Sequence, residues 1–521
     1  VQRLQCSSVT TVAQQVRRES LVSDLPPLRR HPQLYEISTL QWLSKLAQKL
    51  GRPMHLADVP VSEWERLRSL GFDLVYLMGV WKRSTAGRLL SRSYLPLLSR
   101  YDEALPGWTL DDVAGSPFSI ERYEPDPLIG SWADLESIRR QLHDLGMRLI
   151  LDFVPNHTGQ DHPWVREHPE YYIRGDLAAY RKAPGEFFMS ESANGDAQVI
   201  AYGRDPNFAP WTDTAQLNYF NPELRAAMIA QLRHISQFCD GVRCDMAMLL
   251  LNDSFHQTWE PFLQGMRAPA EEFWREATRS FPNFIWIAEA YCDCEWALQQ
   301  LGFDFTYDKR LYDRLRDGFV RDVYLHLKAD WEFQSRSVRF LENHDERRAA
   351  TVFGKNRLPA IAVLACTVPG MHFVNDGQLE GLGTQPVVQL ARTRDENTDD
   401  EVARLYERIL KIADETEFHG SNWKLLEVED SGDHTASDLI AYLWTGESSH
   451  RLAVVNLGAG VSTGRIYLLN DVISSASVRF EDVLNDRVYE KQASDLNQWG
   501  LFIKLDGFAA HVFAIARFKS S

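Results

Sequence analysis

Between Leu34 and Asp376 the chain repeats one pattern eight times: a short β-type apolar run, then a longer polar or amphipathic stretch. The runs are LYEIS (34–38), DLVYLMG (73–79), RLILDFV (148–154), DGVRCD (240–245), NFIWIAE (283–289), FDFTY (303–307), SVRFLEN (337–343) and GMHFVND (370–376). Runs this short and this rich in branched and aromatic residues read as strands. WADLESIRRQLHDLG (132–146) and ELRAAMIAQLRHISQFC (223–239) instead carry the three-and-four spacing of amphipathic helices. Strands separated by helices are joined by right-handed crossovers and therefore lie parallel. Eight is the number that closes such a sheet, so the pattern predicts an α/β fold, a (β/α)8 TIM barrel with its active site at the C-terminal strand ends. A doubly wound open sheet is the alternative the same alternation allows.

Two interruptions break the rhythm. Residues 80–115, after the second strand, are rich in Arg, Ser, Pro and Gly; residues 158–217, after the third, show little helical periodicity. A segment of about 60 residues is too long for a mere connection and reads as a small subdomain over the barrel mouth. From about Phe418 the pattern turns to short alternating strands such as LIAYLWTG (439–446) and RLAVVNLG (451–458), which predict a C-terminal antiparallel β-sandwich. The expected division is an N-terminal extension (1–33), the barrel (34–157 and 218–415), the insertion (158–217) and the sandwich (416–521). The apolar stretch Leu358 to Val374 is broken by Pro359, Pro369, Gly370 and His372, and so reads as a buried helix followed by a strand rather than a membrane span.

Charge narrows the partners. Lys and Arg number 56 against 72 Asp and Glu, so the net charge is 56 − 72 = −16. That balance argues against nucleic acid and against an anionic membrane surface, and favours a neutral substrate. The six cysteines, Cys6, Cys239, Cys244, Cys292, Cys294 and Cys366, have no zinc-type spacing, and Cys292 and Cys294 are too close for ordinary disulfide geometry. They read as reduced thiols. The opening residues contain no apolar core of the kind a secretory signal needs, so the expectation is a cytoplasmic protein.

The strand ends carry an unusual cargo. The third ends Asp152-Phe-Val-Pro-Asn156-His157, the fourth Arg243-Cys-Asp245, the fifth at Glu289, and the seventh Glu342-Asn343-His344-Asp345. Such groups are costly to bury on one rim unless they are paired or used. Acetal hydrolysis needs two carboxyls in different environments, one protonated to donate to the leaving oxygen and one ionised to attack the anomeric carbon. Arg243 and Asp245 share one side of their strand, so the guanidinium is expected to lower the Asp245 pKa. Glu289, among Ile285, Trp286, Ile287 and Ala288, is expected to have a raised one. A metal-dependent hydrolase is the competing use of such a rim, but no HExxH or comparable ligand spacing supports it.

Four segments in this order, LDFVPNHTG (151–159), GVRCDMAM (241–248), IWIAEAY (285–291) and FLENHDE (340–346), resemble the conserved regions of glycoside hydrolase family 13, the α-amylase family. AQLN (215–218) and FVNDGQLEG (373–381) extend the resemblance to about residues 34–415, and it implies a B domain at the insertion and a C domain at the sandwich. It further implies a retaining α-glycoside hydrolase working by double displacement, with Asp245 as nucleophile, Glu289 as general acid/base and Asp345 binding sugar hydroxyls and stabilising the transition state. Arg243 would orient Asp245, His157 and His344 would bond the reacting sugar, and Asp152 would support that subsite. No cofactor is implied for the chemistry; a structural calcium held through Asn156 is. Transglycosylation by the same intermediate is the rival reading, and a catalytically silent carbohydrate binder on this fold is the rival from another class.

The departures bear on substrate. Many family amylases carry a Lys-His pair after the nucleophile; here Met248 and Leu249 stand there, with Met246 directly after Asp245. An apolar leaving-group side favours small α-glucosides or short oligosaccharides over starch. In GSPFSIERY (115–123), Phe118 is the expected stacking platform in place of a family Tyr, and Glu121 replaces the usual Asp. Tyr291 is expected near the leaving group, and Trp81 and Trp211 in the two inserted loops are candidate sugar contacts.

Overall fold

The computed structural model describes residues 25–516 except 264, 469–471 and 474–475. Cys6 and residues 1–24 of the expected N-terminal extension lie outside the described residues. Eight parallel strands close into a barrel: β1 (Gln33–Ser38), β2 (Leu74–Met78), β3 (Arg148–Phe153), β4 (Gly241–Cys244), β5 (Ile285–Ala288), β6 (Phe305–Tyr307), β7 (Ser337–Arg339) and β8 (Met371–Asn375). Each expected run contributes its strand, and sequential strands are neighbours all the way round. The open-sheet alternative fails at one pairing: β8 bonds back to β1, with Gln33 opposite His372 and Glu36 opposite Asn375.

Six of the eight strands stop short of their runs on the active-site side, most of all β7, which ends at Arg339 rather than Asn343. Glu342 and Asn343 leave the ladder to build the turn beyond it. Asn343 Oδ1 accepts the Asp345 and Glu346 N–H groups, and Glu342 pairs with Arg348 and accepts the Ala349 N–H at 2.6 Å. Helices cover the outside of the sheet, so both strand faces are buried, as in all five residues of β2. The helix Trp132–Asp144 is started by Ser131 and Asp134, whose side chains cap each other's backbone N–H groups, and it buries Leu135, Ile138 and Leu142. The Leu358–Val374 stretch is the end of the helix Ala349–Thr367 followed by β8.

After β2, a strand Trp81–Arg83 pairs with Ile120–Pro125, and helices Thr85–Ser91 and Leu95–Ala104 lie between them in the chain. After β3, His157–Gly159 pairs antiparallel with Thr214–Gln216, Gln216 opposite His157, which clasps the two ends of the long insertion together. Inside that clasp a three-stranded antiparallel sheet is built from Arg174–Gly175, Phe187–Glu191 and Ala197–Ala201. The C-terminal region folds into a six-stranded and a three-stranded antiparallel sheet with one buried cluster between them, including Leu443, Leu452, Ile466, Ile503 and Phe513. Trp444 ties it to the barrel by donating from Nε1 to the Thr367 carbonyl at 2.8 Å. Among the described residues no helix is long and apolar enough to cross a membrane.

Candidate active site

Parallel pairing puts Asp152 and Arg243 side by side on β3 and β4, and Arg243 beside Ile287 on β5. Arg243 is thereby aimed at the mouth, with its side chain 1% exposed, and it grips two carboxyls at once. One terminal nitrogen lies 2.7 Å from Asp245 Oδ1 and the other 2.9 Å from Glu289 Oε2. Its guanidinium carbon stands 5.3 Å from the Phe118 ring centre and 5.6 Å from that of Tyr307, so aromatic faces hold the fork in place.

The two carboxyls are treated differently. Glu289 Oε1 accepts from the Tyr291 hydroxyl at 2.8 Å, and Oε2 from the Met246 N–H at 2.7 Å. That second bond requires Met246 to adopt a left-handed backbone, φ 45°, where a non-glycine residue is strained by roughly 1–3 kcal/mol. Burial pushes the Glu289 carboxyl up, Arg243 pulls it down, and the Asp245 and Asp345 charges raise it again. At Asp245 the neighbouring guanidinium is not the dominant influence that the two-residue spacing alone predicts. With this side chain 8% exposed, desolvation outweighs Arg243 and the carboxyl is raised as well. Both carboxyls thus contact Arg243 and both feel two acidic neighbours, Asp152 and Asp345 for Asp245, Asp245 and Asp345 for Glu289. What sets them apart is that Glu289 alone also accepts from the Tyr291 hydroxyl and the Met246 N–H.

Asp152 is fully buried below them. The Tyr76 hydroxyl donates to one oxygen and the Gly79 N–H to the other at 2.6 Å, and burial raises its carboxyl against the pull of Arg243. Asp345 stands apart at the rim with its side chain 54% exposed. The desolvation it does experience would raise it, but the neighbouring His344 holds it down at about 2. The His344 ring lies against Phe118, centres 5.2 Å apart. His157 is buried, which depresses it to about 4 and keeps it neutral, and Trp211 stands 5.2 Å from its ring. The barrel thus brings Asp152, His157, Arg243, Asp245, Glu289, Tyr291, His344, Asp345 and Phe118 to one mouth.

Other expectations change. Trp81 is no sugar contact: it is fully buried, donates to the Asp152 carbonyl at 2.8 Å and packs on Tyr123 and Trp132. Glu121 is spent on Lys82, 2.7 Å away. Met248 and Leu249 are buried in the turn Ala247–Leu250, so the segment after Asp245 is apolar in packing as well as in sequence. Asn156 does not face a cage of hard oxygens. Its amide and that of Gln216 bond each other, Gln216 Nε2 to Asn156 Oδ1 at 3.0 Å and Asn156 Nδ2 to Gln216 Oε1 at 3.3 Å. Calcium takes six to eight oxygen ligands, carboxylates among them. Among the described residues no group of three or more His, Cys, Asp or Glu could hold a metal, and this amide pair does not fit one.

Sequence reasoning missed Tyr76, Tyr307, Gly79 and Glu36. The two tyrosines and Gly79 look like ordinary strand residues. Glu36 alone carried a signal, an acid in the middle of an apolar barrel strand.

Comparison with known proteins places these features in context. The family model described as the α-amylase catalytic domain matches residues 67–423. Alpha-amylase 3 of Dictyoglomus thermophilum is 23% identical over 290 residues, 51% of this chain and 53% of that protein. An alpha-glucosidase of Apis mellifera is 29% identical over 296 residues, 49% of this chain and 51% of that one. The matches therefore span about half the length of these relatives. Among solved structures, a maltogenic alpha-amylase, AmyB, from Thermotoga neapolitana superposes with a TM-score of 0.66 at 21% identity, covering 94% of this chain and 99% of that one, a likeness of fold.

Proposed function

Since the chain belongs to the α-amylase family of glycoside hydrolases, we propose that it cleaves α-glucosidic bonds of short oligosaccharides or small α-glucosides with retention of anomeric configuration. The observation that carries this reading is the single buried guanidinium contacting both Asp245 and Glu289. Retaining glycosidases hold their two carboxyls about 5–5.5 Å apart and inverting ones about 6.5–9.5 Å, to leave room for water. One planar fork contacting both groups keeps them close together.

In this reading Asp245, ionised against Arg243, attacks the anomeric carbon and forms a glycosyl ester. Glu289, its proton favoured by burial and two acidic neighbours, gives that proton to the leaving oxygen. It then takes one from the incoming water as the ester is hydrolysed. Asp345 and the histidines hold sugar hydroxyls, and Phe118 offers its ring. A narrow cleft lined in part by Trp42, Leu382, Pro386, Val388 and Arg394 opens beside His344.

The test is turnover of α-linked disaccharides and short maltodextrins, with the first-formed anomer followed by NMR. Asp245→Asn and Glu289→Gln should each lower kcat by about 10²–10⁴-fold or more with the fold intact. Near-normal turnover in either variant, or an inverted first product, would overturn the assignment. Glycosyl transfer to added sugar would instead identify a transferase using the same intermediate.

A further inference from the structure

Beyond the three acids, the mouth contains a charged relay that starts on β1. The Glu36 side chain is fully buried, and both its oxygens bond His344: Oε1 lies 2.6 Å from His344 Nδ1, and Oε2 accepts the His344 backbone N–H at 3.2 Å. The other ring nitrogen of His344, Nε2, stands 3.1 Å from Asp345 Oδ2, but off the line of a hydrogen bond. Glu36 reaches this position because β1 closes the barrel against β8, which brings residue 36 beside the loop after β7.

We propose that Glu36 is a positioning residue that holds His344 as an imidazolium, so that Nε2 carries a hydrogen to donate to a sugar hydroxyl while its charge keeps Asp345 ionised. This rests on the glycosidase reading of the site. The geometry favours the charge. A carboxylate at Nδ1 fixes the hydrogen there, and in a neutral ring Nε2 would then carry a lone pair 3.1 Å from an Asp345 carboxylate oxygen, disfavoured by its charge and unable to donate. Protonation makes both ring nitrogens donors between two carboxylates. The two flanking acids raise the imidazole well above its ordinary range although burial works against this.

The other charged or titratable groups facing this relay do not remove its logic. Asp152 and Arg243 lie across the mouth on β3 and β4 and oppose each other. Arg348 and Asp376 line the cleft beside His344, Arg348 already paired with Glu342. The Tyr76 and Tyr307 hydroxyls face Glu36 from β2 and β6.

The test is Glu36→Gln, which keeps the shape and removes the charge, with Glu36→Asp as the variant that restores it. Histidine side-chain nitrogen NMR on the intact protein, with the His344 signal identified by its loss in His344→Asn, should show a wild-type ring protonated through pH 8. In Glu36→Gln the ring should titrate at least one unit lower, and in Glu36→Asp it should return toward wild type. Activity on an α-linked disaccharide should follow. Glu36→Gln should retain kcat/KM within about threefold at pH 5 and fall about tenfold or more at pH 8, as its alkaline limb moves down. A wild-type His344 neutral at pH 7, or a loss in Glu36→Gln equal at both pH values, overturns the proposal. The NMR arm needs no substrate: if no α-glucoside is turned over, the glycosidase reading fails while the His344 titration still decides the role of Glu36.

Discussion

At the scale of single residues, the site is a problem of keeping charges out of water without neutralising the wrong one. Arg243 solves part of it, because a planar guanidinium bonds two carboxyls from one fixed position where a lysine would offer a point charge on a mobile stem. Its pairing with Asp245, two residues on, was legible in the sequence; its grip on Glu289 was not. What was not legible is that desolvation outweighs the guanidinium at Asp245, since burial is a property of the packed mouth. The Asn156–Gln216 amide pair makes a prediction at this scale. It closes the clasp of the long insertion with neutral groups, so a chelator should leave both Tm and activity unchanged, as read by calorimetry and a disaccharide assay. A Tm lowered by EDTA and restored by calcium would refute it. Gln216→Ala, by contrast, should cost about 1–3 kcal/mol in denaturant unfolding, because it strands buried polar atoms of Asn156.

At the scale of elements, function depends on where strands end. The segment after β2 turns at Gly79 with φ 76°, a left-handed conformation that lets its N–H point at Asp152. A Cβ placed there would lie 2.7 Å from the Pro117 side chain. Gly79→Ala should therefore cost about 1–3 kcal/mol and lower kcat as well, by disturbing the carboxyl beneath the reacting sugar. A stable Gly79→Ala protein with wild-type kcat would show that Asp152 needs no such support. The eight strands were readable because each is a short apolar run between helical periods. The end of β7 was misread by four residues for a reason visible in Glu342 and Asn343. Both belong to the apolar-flanked run by sequence, but their side chains bond groups two to six residues further on, in the following turn and at Arg348, which takes both residues out of the ladder.

At the scale of the whole molecule, burial of neutral imidazoles sets the response to acid. His31, His157, His162 and His372 are depressed by burial to about 2, 4, 3 and 3. Each binds a proton near its ordinary pKa of 6.5 when unfolded but not when folded. Over that window the unfolded state holds more protons, and stability rises with pH. Folding stability should fall as pH drops from about 6.5 toward 4, by roughly 1.4 kcal/mol per pH unit for each such histidine at most. His344 works in the opposite sense: its pKa is raised, so its contribution is present below 6.5 and is lost as pH climbs through its folded value. Calorimetric Tm should thus decline steeply below pH 6, and a flat Tm between pH 7 and 4.5 would contradict the neutral, buried state of these rings.

The sequence by itself determined the eightfold alternation, and with it a parallel sheet that delivers its strand-end residues to one edge. It determined the identity and order of the acids there, because local spacing decides which side chains a strand presents. It did not determine how those groups meet. The pairing of Glu36 with His344 joins residues 308 positions apart, and the double grip of Arg243 depends on the register between β4 and β5. Trp81 went to the core because Asp152, Tyr123 and Trp132 converge on it only in the folded chain. Periodicity is a property of neighbours along the chain; protonation state and exposure belong to neighbours in space, and closing β8 onto β1 is what made these residues neighbours.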